Sequence, residues 1–130
     1  MRWGRIVGLA FALEATLFVT LVPLQKPLAL RTWFVAVTVG CLIFGYIAGR
    51  LAARGLASRA ALHGLLVGVL ATIIYIVLCA VAPGGIAAAI AVYGAPLYLT
   101  LNALRIVGCV AGAMHARKGQ TIRPATAVLR

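Results

Sequence analysis

Long apolar blocks separated by short breaks of turn-forming residues are the main pattern along this chain. The apolar blocks cover about residues 5–24, 32–53, 59–82 and 87–114. Each block is long enough for an α-helix to cross a hydrocarbon layer of ~30 Å at a rise of about 1.5 Å per residue. Turn-forming residues mark the breaks, at Pro23 and Pro27, at Gly55 and Ser58, and at Pro83-Gly84-Gly85. The pattern therefore predicts four transmembrane helices.

The fourth block is longer than a bilayer crossing needs, so we expect its helix to be tilted, kinked or extended beyond the interface. Pro96, with Gly94 two residues before it, is the expected kink site. Residues 1–116 form one four-helix domain in this interpretation. Residues 117–130 are polar and basic and lack apolar periodicity, so they are predicted to be a disordered cytoplasmic tail.

Composition indicates a membrane protein rather than a water-soluble domain. Sixty-five per cent of the 130 residues are apolar, and the mean hydropathy is +1.13. A soluble domain of this length needs far more polar surface to cover its core. The predicted fold class is therefore all-α, an integral membrane four-helix bundle. The excess of Arg over Lys, with abundant Ala, Gly and Val, suggests a GC-rich bacterial genome and hence the bacterial inner membrane.

The distribution of basic residues predicts the orientation of the helices. Positive residues concentrate on the cytoplasmic side of membrane proteins. Nine of the twelve Lys and Arg flank one side of the predicted bundle, namely Arg2, Arg5, Arg50, Arg54, Arg59, Arg117, Lys118, Arg123 and Arg130. Only Lys26 and Arg31 flank the other side. Both termini are therefore predicted to be cytoplasmic, with Trp3 and Trp33 at opposite interfaces as aromatic belt residues.

Each predicted helix carries a Gly-x-x-x-Gly pair in its cytoplasmic half. The pairs are Gly4/Gly8, Gly45/Gly49, Gly64/Gly68 and Gly108/Gly112. Glycines four residues apart form a groove that allows two helix backbones to approach closely in lipid. The pairs are interpreted as helix-packing positions. A bundle pinched at this depth with an outward-facing cavity is a second interpretation, although polar residues to line such a cavity are few.

Helices 2 and 4 end in similar sequences. Gly45-x-x-Ala48-Gly49 corresponds to Gly108-x-x-Ala111-Gly112 at an offset of 63 residues. Helices 1 and 3 share Gly-x-x-Val-Gly, starting at Gly4 and Gly64, at an offset of 60 residues. These offsets predict a two-helix repeat in parallel orientation, which is an architecture found in transporters. Matches of small residues also arise by chance in this composition.

Two charged residues lie inside the predicted helices. At about 1.5 Å per residue, Glu14 is roughly 13–14 Å along helix 1 from Arg5, and Arg105 is roughly 18 Å along helix 4 from Arg117. Both are therefore near the middle of the membrane, where an uncompensated charge costs at least about 2.5–3.5 kcal/mol. Because they are opposite in sign and similar in depth, they are predicted to form an ion pair.

Polar residues accompany this pair on helix 4. Tyr98, Asn102 and Arg105 share one face of the helix and supply nearby hydrogen-bonding groups. Two interpretations are open. The pair fixes which helices touch and in what register, or Glu14, released from Arg105 by a proton or a cationic ligand, acts as a coupling carboxylate.

The layout resembles that of the small multidrug resistance transporters. The resemblance rests on four helices in little more than a hundred residues and on one glutamate midway along helix 1, in Ala12-Leu13-Glu14-Ala15-Thr16. It implies that Glu14 binds protons and cationic drugs within a dimer, as the helix-1 glutamate does in that family. Arg105 and the basic tail depart from the family's layout, and its other helix motifs are not found in this chain.

The remaining residues give no basis for an enzyme, a metal site or a cofactor. With one carboxylate, and with His63 and His115 expected at the interface, neither a nucleophile–base pair nor a metal cluster is expected. The three cysteines fall on different predicted helices without a Cys-x-x-Cys spacing and are interpreted as packing residues. The basic residues lie at the ends of apolar blocks, which favours anionic lipid over nucleic acid as their partner.

Two functions are consistent with this sequence. The first is a non-enzymatic accessory, scaffold or self-associating membrane subunit, present as a homo-oligomer or within a larger membrane complex. The Gly-x-x-x-Gly faces and the scarcity of polar lining favour it. The second is a small proton-coupled transporter or channel for cations that uses Glu14.

Overall fold

The described part of the chain is helical and contains no strand. A computed structural model describes residues 2–56 and 58–121. Its elements are α1 (Trp3–Leu21), a 3₁₀ turn (Pro23–Gln25), α2 (Leu30–Ala52), α3 (Ala60–Val81), α4 (Gly85–Tyr93) and α5 (Ala95–Thr121). The helices α1, α2, α3 and α5 are each long and apolar enough to cross a membrane. The prediction of an all-α fold with four helices of membrane-spanning length is confirmed within these residues.

The block over residues 87–114, predicted as a single helix that is tilted, kinked or extended, forms two helices, α4 and α5. Helix α4 has nine residues, about 13 Å at the helical rise, which is too short to span a bilayer. Gly94 separates the two with φ +74°, a left-handed conformation that costs glycine little. Its N–H donates to the Ile90 carbonyl at 2.7 Å, and its carbonyl accepts from the Tyr98 N–H at 3.0 Å. The break lies beside Pro96, at the expected kink site.

Helix α5 extends into the segment predicted to be the tail. It has 27 residues, about 40 Å at the helical rise, which exceeds a hydrocarbon layer of ~30 Å. Residues 117–121, predicted to begin the tail, belong to this helix. Residues 122–130 of the predicted tail lie outside the described residues.

The membrane-length helices alternate in direction, so the start of α1 and the end of α5 lie at the same end of the bundle. At that end, Arg5 of α1 caps α2: its Nη1 donates to the Arg54 carbonyl at 2.8 Å, and its Nη2 donates to the Leu51 carbonyl. These bonds give further donors to carbonyls at the C-terminal end of α2 and place a cation at the negative end of its helix dipole. We call this end, which also carries Arg2 and Arg59, the basic end.

Helices α2 and α5 run side by side in the same direction, and their backbones touch at glycines. A Cβ atom on Gly49 would overlap the Cys109 carbonyl oxygen. A Cβ atom on Gly112 would overlap the Tyr46 carbonyl oxygen. Such close approach is how transmembrane helices gain packing energy when lipid is as apolar as their side chains. We call this contact the α2–α5 seam.

The contacts across the α2–α5 seam are reciprocal. A Cβ atom on Gly45 would lie 3.0 Å from the Arg105 carbonyl oxygen, and one on Gly108 would lie 2.7 Å from the Leu42 carbonyl oxygen. Gly45 and Gly108 are 63 residues apart, as are Leu42 and Arg105. An approximate two-fold axis along the seam therefore relates the two helices, and their packing follows the offset noted in the sequence.

Helix α3 packs on α5 through a second pair of glycines. A Cβ atom on Gly64 would lie 2.5 Å from the Cys109 carbonyl oxygen, and one on Gly68 would lie 2.7 Å from the Ile106 Cα. Cys109 is 0% exposed and lies where α2, α3 and α5 meet. Glycines of both α2 and α3 lie against the Cys109 backbone at this point.

Helix α1 is the exception, because its glycines face outward. A Cβ atom added at Gly4 or Gly8 would meet nothing within 4 Å in the described structure. The helix packs on α2 and α3 through its other face, which includes Ile6, Ala10 and Leu13. Three of the four predicted glycine pairs thus pack inside the bundle, and the fourth does not.

Trp33 does not lie where an aromatic belt residue is expected. It is 4% exposed, and its Nε1 donates to the Leu21 carbonyl at 3.2 Å. Its ring stacks on that of Tyr93, with 5.4 Å between centroids. The indole N–H finds an acceptor at the end of α1, so this side chain is buried in the bundle rather than facing lipid. Because Tyr93 belongs to α4 and Trp33 to the start of α2, this contact also packs α4 against the bundle at the end opposite the basic end.

Replacing Gly112 by alanine should lower the free energy of unfolding by about 1–3 kcal/mol, the usual cost of overpacking, because the new Cβ overlaps the Tyr46 carbonyl. Val107→Leu is the matched control, because Val107 is exposed on the same helix, and this change should leave the free energy of unfolding within about 0.5 kcal/mol of wild type. Thermal unfolding in mild detergent, followed by circular dichroism, measures both. If Gly112→Ala melted at the wild-type temperature, the backbone contact of the α2–α5 seam would be disproved.

Candidate functional site

Helix α1 carries a carboxylate on the face that it buries. Ala10 and Leu17, four residues before and three residues after Glu14, are also buried. Residues at these spacings share one face of a helix. Its side chain is 5% exposed. This position brings the only acidic side chain of the chain into the interior of the bundle.

Helix α5 supplies the opposite charge at the same depth. Arg105 is 4% exposed, and its Nε lies 3.1 Å from Glu14 Oε1. Helix α1 packs on α2 and α3, whereas α5 packs on α2, α3 and α4. The ion pair therefore links two membrane-length helices that have little other direct contact. The structure thus places the two charges predicted to pair within ion-pair distance.

The guanidinium group of Arg105 has two further partners. Its Nη1 donates to Asn102 Oδ1 at 2.8 Å, and Asn102 Nδ2 in turn donates to the Tyr98 carbonyl at 2.9 Å. The Arg105 Cζ lies 4.0 Å from the centroid of the Tyr75 ring, an arrangement worth about 2 kcal/mol when desolvated. The cation is therefore held by groups from α1, α3 and α5.

The ion pair does not use all of its hydrogen-bonding capacity. The Arg105 N–H is not directed at Glu14 Oε1, so the contact is electrostatic without an aligned hydrogen bond. Both atoms are buried, and neither has a hydrogen-bond partner within the described structure; the same is true of the Tyr98 hydroxyl. A buried pair contributes to stability only when its remaining donors and acceptors are satisfied. A water molecule, which both donates and accepts, would satisfy these groups.

A cavity of about 100 Å³ lies beside the ion pair. Its wall includes both charged residues and the aromatic residues Phe18, Trp33, Tyr75 and Tyr93. The volume corresponds to about three water molecules at ~30 Å³ each. It is smaller than the ~300–1,000 Å³ that drug-sized ligands occupy. The cavity suits water, a proton or a small cation better than a large organic molecule.

Some residues of this site were predicted from the sequence, and others were not. Of the four site residues predicted, three are linked through their side chains, and Tyr98 joins through its backbone carbonyl and through its ring, whose centroid lies 5.9 Å from that of Tyr75. Tyr75 was missed as a site residue, although it follows Gly68 and Ala71 at helical spacing and so faces α5 with them. Trp33 and Tyr93 gave no such signal, because their meeting depends on the break at Gly94.

Geometry alone bears on function here, because no protein-family model, curated protein or solved structure matches this chain. Among residues 2–56 and 58–121, no group of three His, Cys, Asp or Glu is placed to hold a metal ion. The arrangement joins one carboxylate to one permanent cation. Such a pair can fix the register of the helices that it joins, and a carboxylate can exchange a proton.

A double-mutant cycle measures the energy of the ion pair. Either Glu14→Gln or Arg105→Leu alone should cost about 3–5 kcal/mol of folding free energy, because each leaves a charge buried without its partner. Leucine is chosen because Leu42 occupies the corresponding position of α2. The double variant should recover more than about 1 kcal/mol relative to the sum of the single variants. Unfolding by sodium dodecyl sulfate in mixed micelles gives all four free energies, and simple additivity would contradict the pairing.

Proposed function

We propose that this protein is a non-enzymatic, self-associating subunit of the bacterial inner membrane, with both termini in the cytoplasm. The observation that carries the proposal is the open glycine face of α1. Gly4 and Gly8 meet nothing within 4 Å, whereas the glycine pairs of α2, α3 and α5 lie against the backbone of a neighbouring helix. In lipid, a groove of small residues serves chiefly for contact with another helix.

The open face extends along the whole of α1. Its members are small, exposed and four residues apart: Gly4, Gly8, Ala12, Thr16 and Thr20. We call them the small face. The Thr16 hydroxyl donates to the Ala12 carbonyl at 2.7 Å, so it needs no partner outside the helix. A row at this spacing is one of the ridges through which helices pack on each other.

A second copy of the chain is the partner that fits this face. In a dimer whose two-fold axis is normal to the membrane, the two α1 helices run in the same direction and present identical surfaces to each other. The α2–α5 seam is a precedent within this molecule, because two Gly-x-x-x-Gly helices running in the same direction already pack there. The bonds of Arg5 and Glu14 to other helices hold α1 at a fixed rotation, which keeps the small face outward.

Orientation in the membrane is supported by the same arrangement. The start of α1, the end of α2 and the start of α3 bring Arg2, Arg5, Arg54 and Arg59 to the basic end, and the positive-inside rule assigns such an end to the cytoplasm. Anionic lipid is then the partner of these side chains.

Gly8→Leu should weaken self-association roughly tenfold or more, because overpacking a close helix contact costs about 1–3 kcal/mol. Energy transfer between donor-labelled and acceptor-labelled chains in lipid vesicles, diluted with increasing lipid, measures the association. Val7→Leu is the matched control, since Val7 is exposed on α1 but lies off the small face. Both variants should melt at the wild-type temperature. A monomeric wild type, or equal losses for the two variants, would refute the proposal.

A second candidate function is a small proton-coupled transporter or channel for cations that uses Glu14. The cavity beside the incompletely satisfied ion pair favours it. Purified protein in vesicles loaded with a pH-sensitive dye tests it. If this function holds, wild type conducts protons or small cations above empty vesicles, and Glu14→Gln abolishes the flux in protein that circular dichroism shows to be folded. Flux equal to that of empty vesicles excludes this candidate and leaves the ion pair with a structural role.

A further inference from the structure

A cavity of about 400 Å³ opens at the basic end, between the start of α1 and the start of α3. Its wall is formed by Arg2, Leu56, Ser58, Arg59 and His63. The volume falls in the range of about 300–1,000 Å³ that small-molecule sites occupy. We propose that this cavity binds an anionic phosphate group, carried either by a lipid headgroup or by soluble phosphate.

The positive charges in the cavity wall have no counter-charge from the described chain. Neither the Arg2 nor the Arg59 side chain makes a hydrogen bond or ion pair with another residue of ranges 2–56 and 58–121. The one side-chain carboxylate of the protein, Glu14, is engaged with Arg105 in the interior. Arg5, close by, is engaged with the end of α2. No side chain of residues 2–56 and 58–121 therefore neutralises this cavity.

The start of α3 adds to the positive potential of the cavity. Arg59 is the N-cap of this 22-residue helix, but its side chain makes no capping hydrogen bond, and no acidic residue lies in the first turn. The first N–H groups of a helix have no intrahelical acceptor and lie at the positive end of its dipole. Phosphate groups bind at helix N-termini for this reason.

His63 provides independent support for a ligand, because one of its ring nitrogens is buried without a partner. His63 is 4% exposed and forms part of the cavity wall at the start of α3. Nδ1 lies 3.0 Å from the Arg59 carbonyl oxygen, which only accepts, so Nδ1 carries the hydrogen. Nε2 is buried and has no partner among the described residues, and buried polar atoms are normally hydrogen-bonded.

Phosphate is the anion that best fits these groups together. Two guanidinium groups match the oxygens of a phosphate in bidentate geometry, and the Ser58 hydroxyl supplies a further donor. The unpartnered Nε2 belongs to a residue of the same wall and is a further group that can hydrogen-bond to a phosphate. The site also lies where α1 and α3 begin, which is headgroup depth in the proposed orientation.

Two ligands test the site on the full-length protein in a zwitterionic detergent. Inorganic phosphate is titrated by calorimetry, and phosphatidylglycerol is titrated against phosphatidylcholine by native mass spectrometry. Arg2→Gln and Arg59→Gly should each weaken binding roughly tenfold, as expected for loss of a charge-assisted hydrogen bond. Glycine is chosen because Arg59 has φ +59°, which glycine adopts without strain. Circular dichroism checks that each variant is folded.

Arg50→Gln is the matched control, because Arg50 is exposed near the same end but does not belong to the cavity wall. It removes the same charge and should change either affinity by less than about twofold if binding is local. Binding of phosphatidylglycerol alone identifies a lipid headgroup as the source, and binding of inorganic phosphate identifies a soluble source. Absence of binding to both ligands, or equal losses for Arg50→Gln and Arg59→Gly, would overturn the proposal.

Discussion

Close backbone contact between α2 and α5 governs the arrangement of the other helices. Helices in a bilayer gain little from burying apolar side chains, since lipid solvates those side chains as well as a protein interior does. Helix association in a bilayer therefore depends on van der Waals contact between helices. Glycines increase this contact because they let two backbones touch. The carbonyl oxygen of Arg105 is itself part of this seam, opposite Gly45, so the contact also sets the depth of the buried cation. Helix α3 then packs on α5 around Cys109.

Helix α1 is held by different means, which distinguishes it from α3 despite their similar sequences. The glycines of α3 pack on α5, whereas those of α1 touch no described neighbour. Polar links compensate at two levels: Glu14 reaches Arg105 in the interior, and Arg5 caps α2 at the basic end. Because the chain has a single side-chain carboxylate, its use in the interior leaves the basic end without an acidic side chain. Glu14 thus anchors α1 to α5 and is not available to the arginines of the basic end.

The two proposed interactions involve neighbouring parts of α1. Arg2 lines the cavity proposed to bind phosphate, and Gly4, two residues further on, begins the small face. Association through α1 would bring the phosphate sites of two copies toward the same two-fold axis. The interior ion pair lies deeper, so register in the bundle, contact between copies and anion binding use separate groups. Each function would therefore respond to its own substitutions.

The sequence by itself determined the membrane-spanning character, the approximate helix limits and the position of the break near Pro96. Hydrophobic length, turn residues and the cost of a buried charge are local properties, and they also singled out Glu14 and Arg105. Tertiary structure decided which glycine pairs pack against a neighbouring helix. It also decided that Trp33 and His63 are buried and that the Tyr75 ring lies against the Arg105 guanidinium. The reason is rotational: a helix that is apolar on all sides carries no polar face to orient it. Its rotation is set only by the neighbours that it packs against.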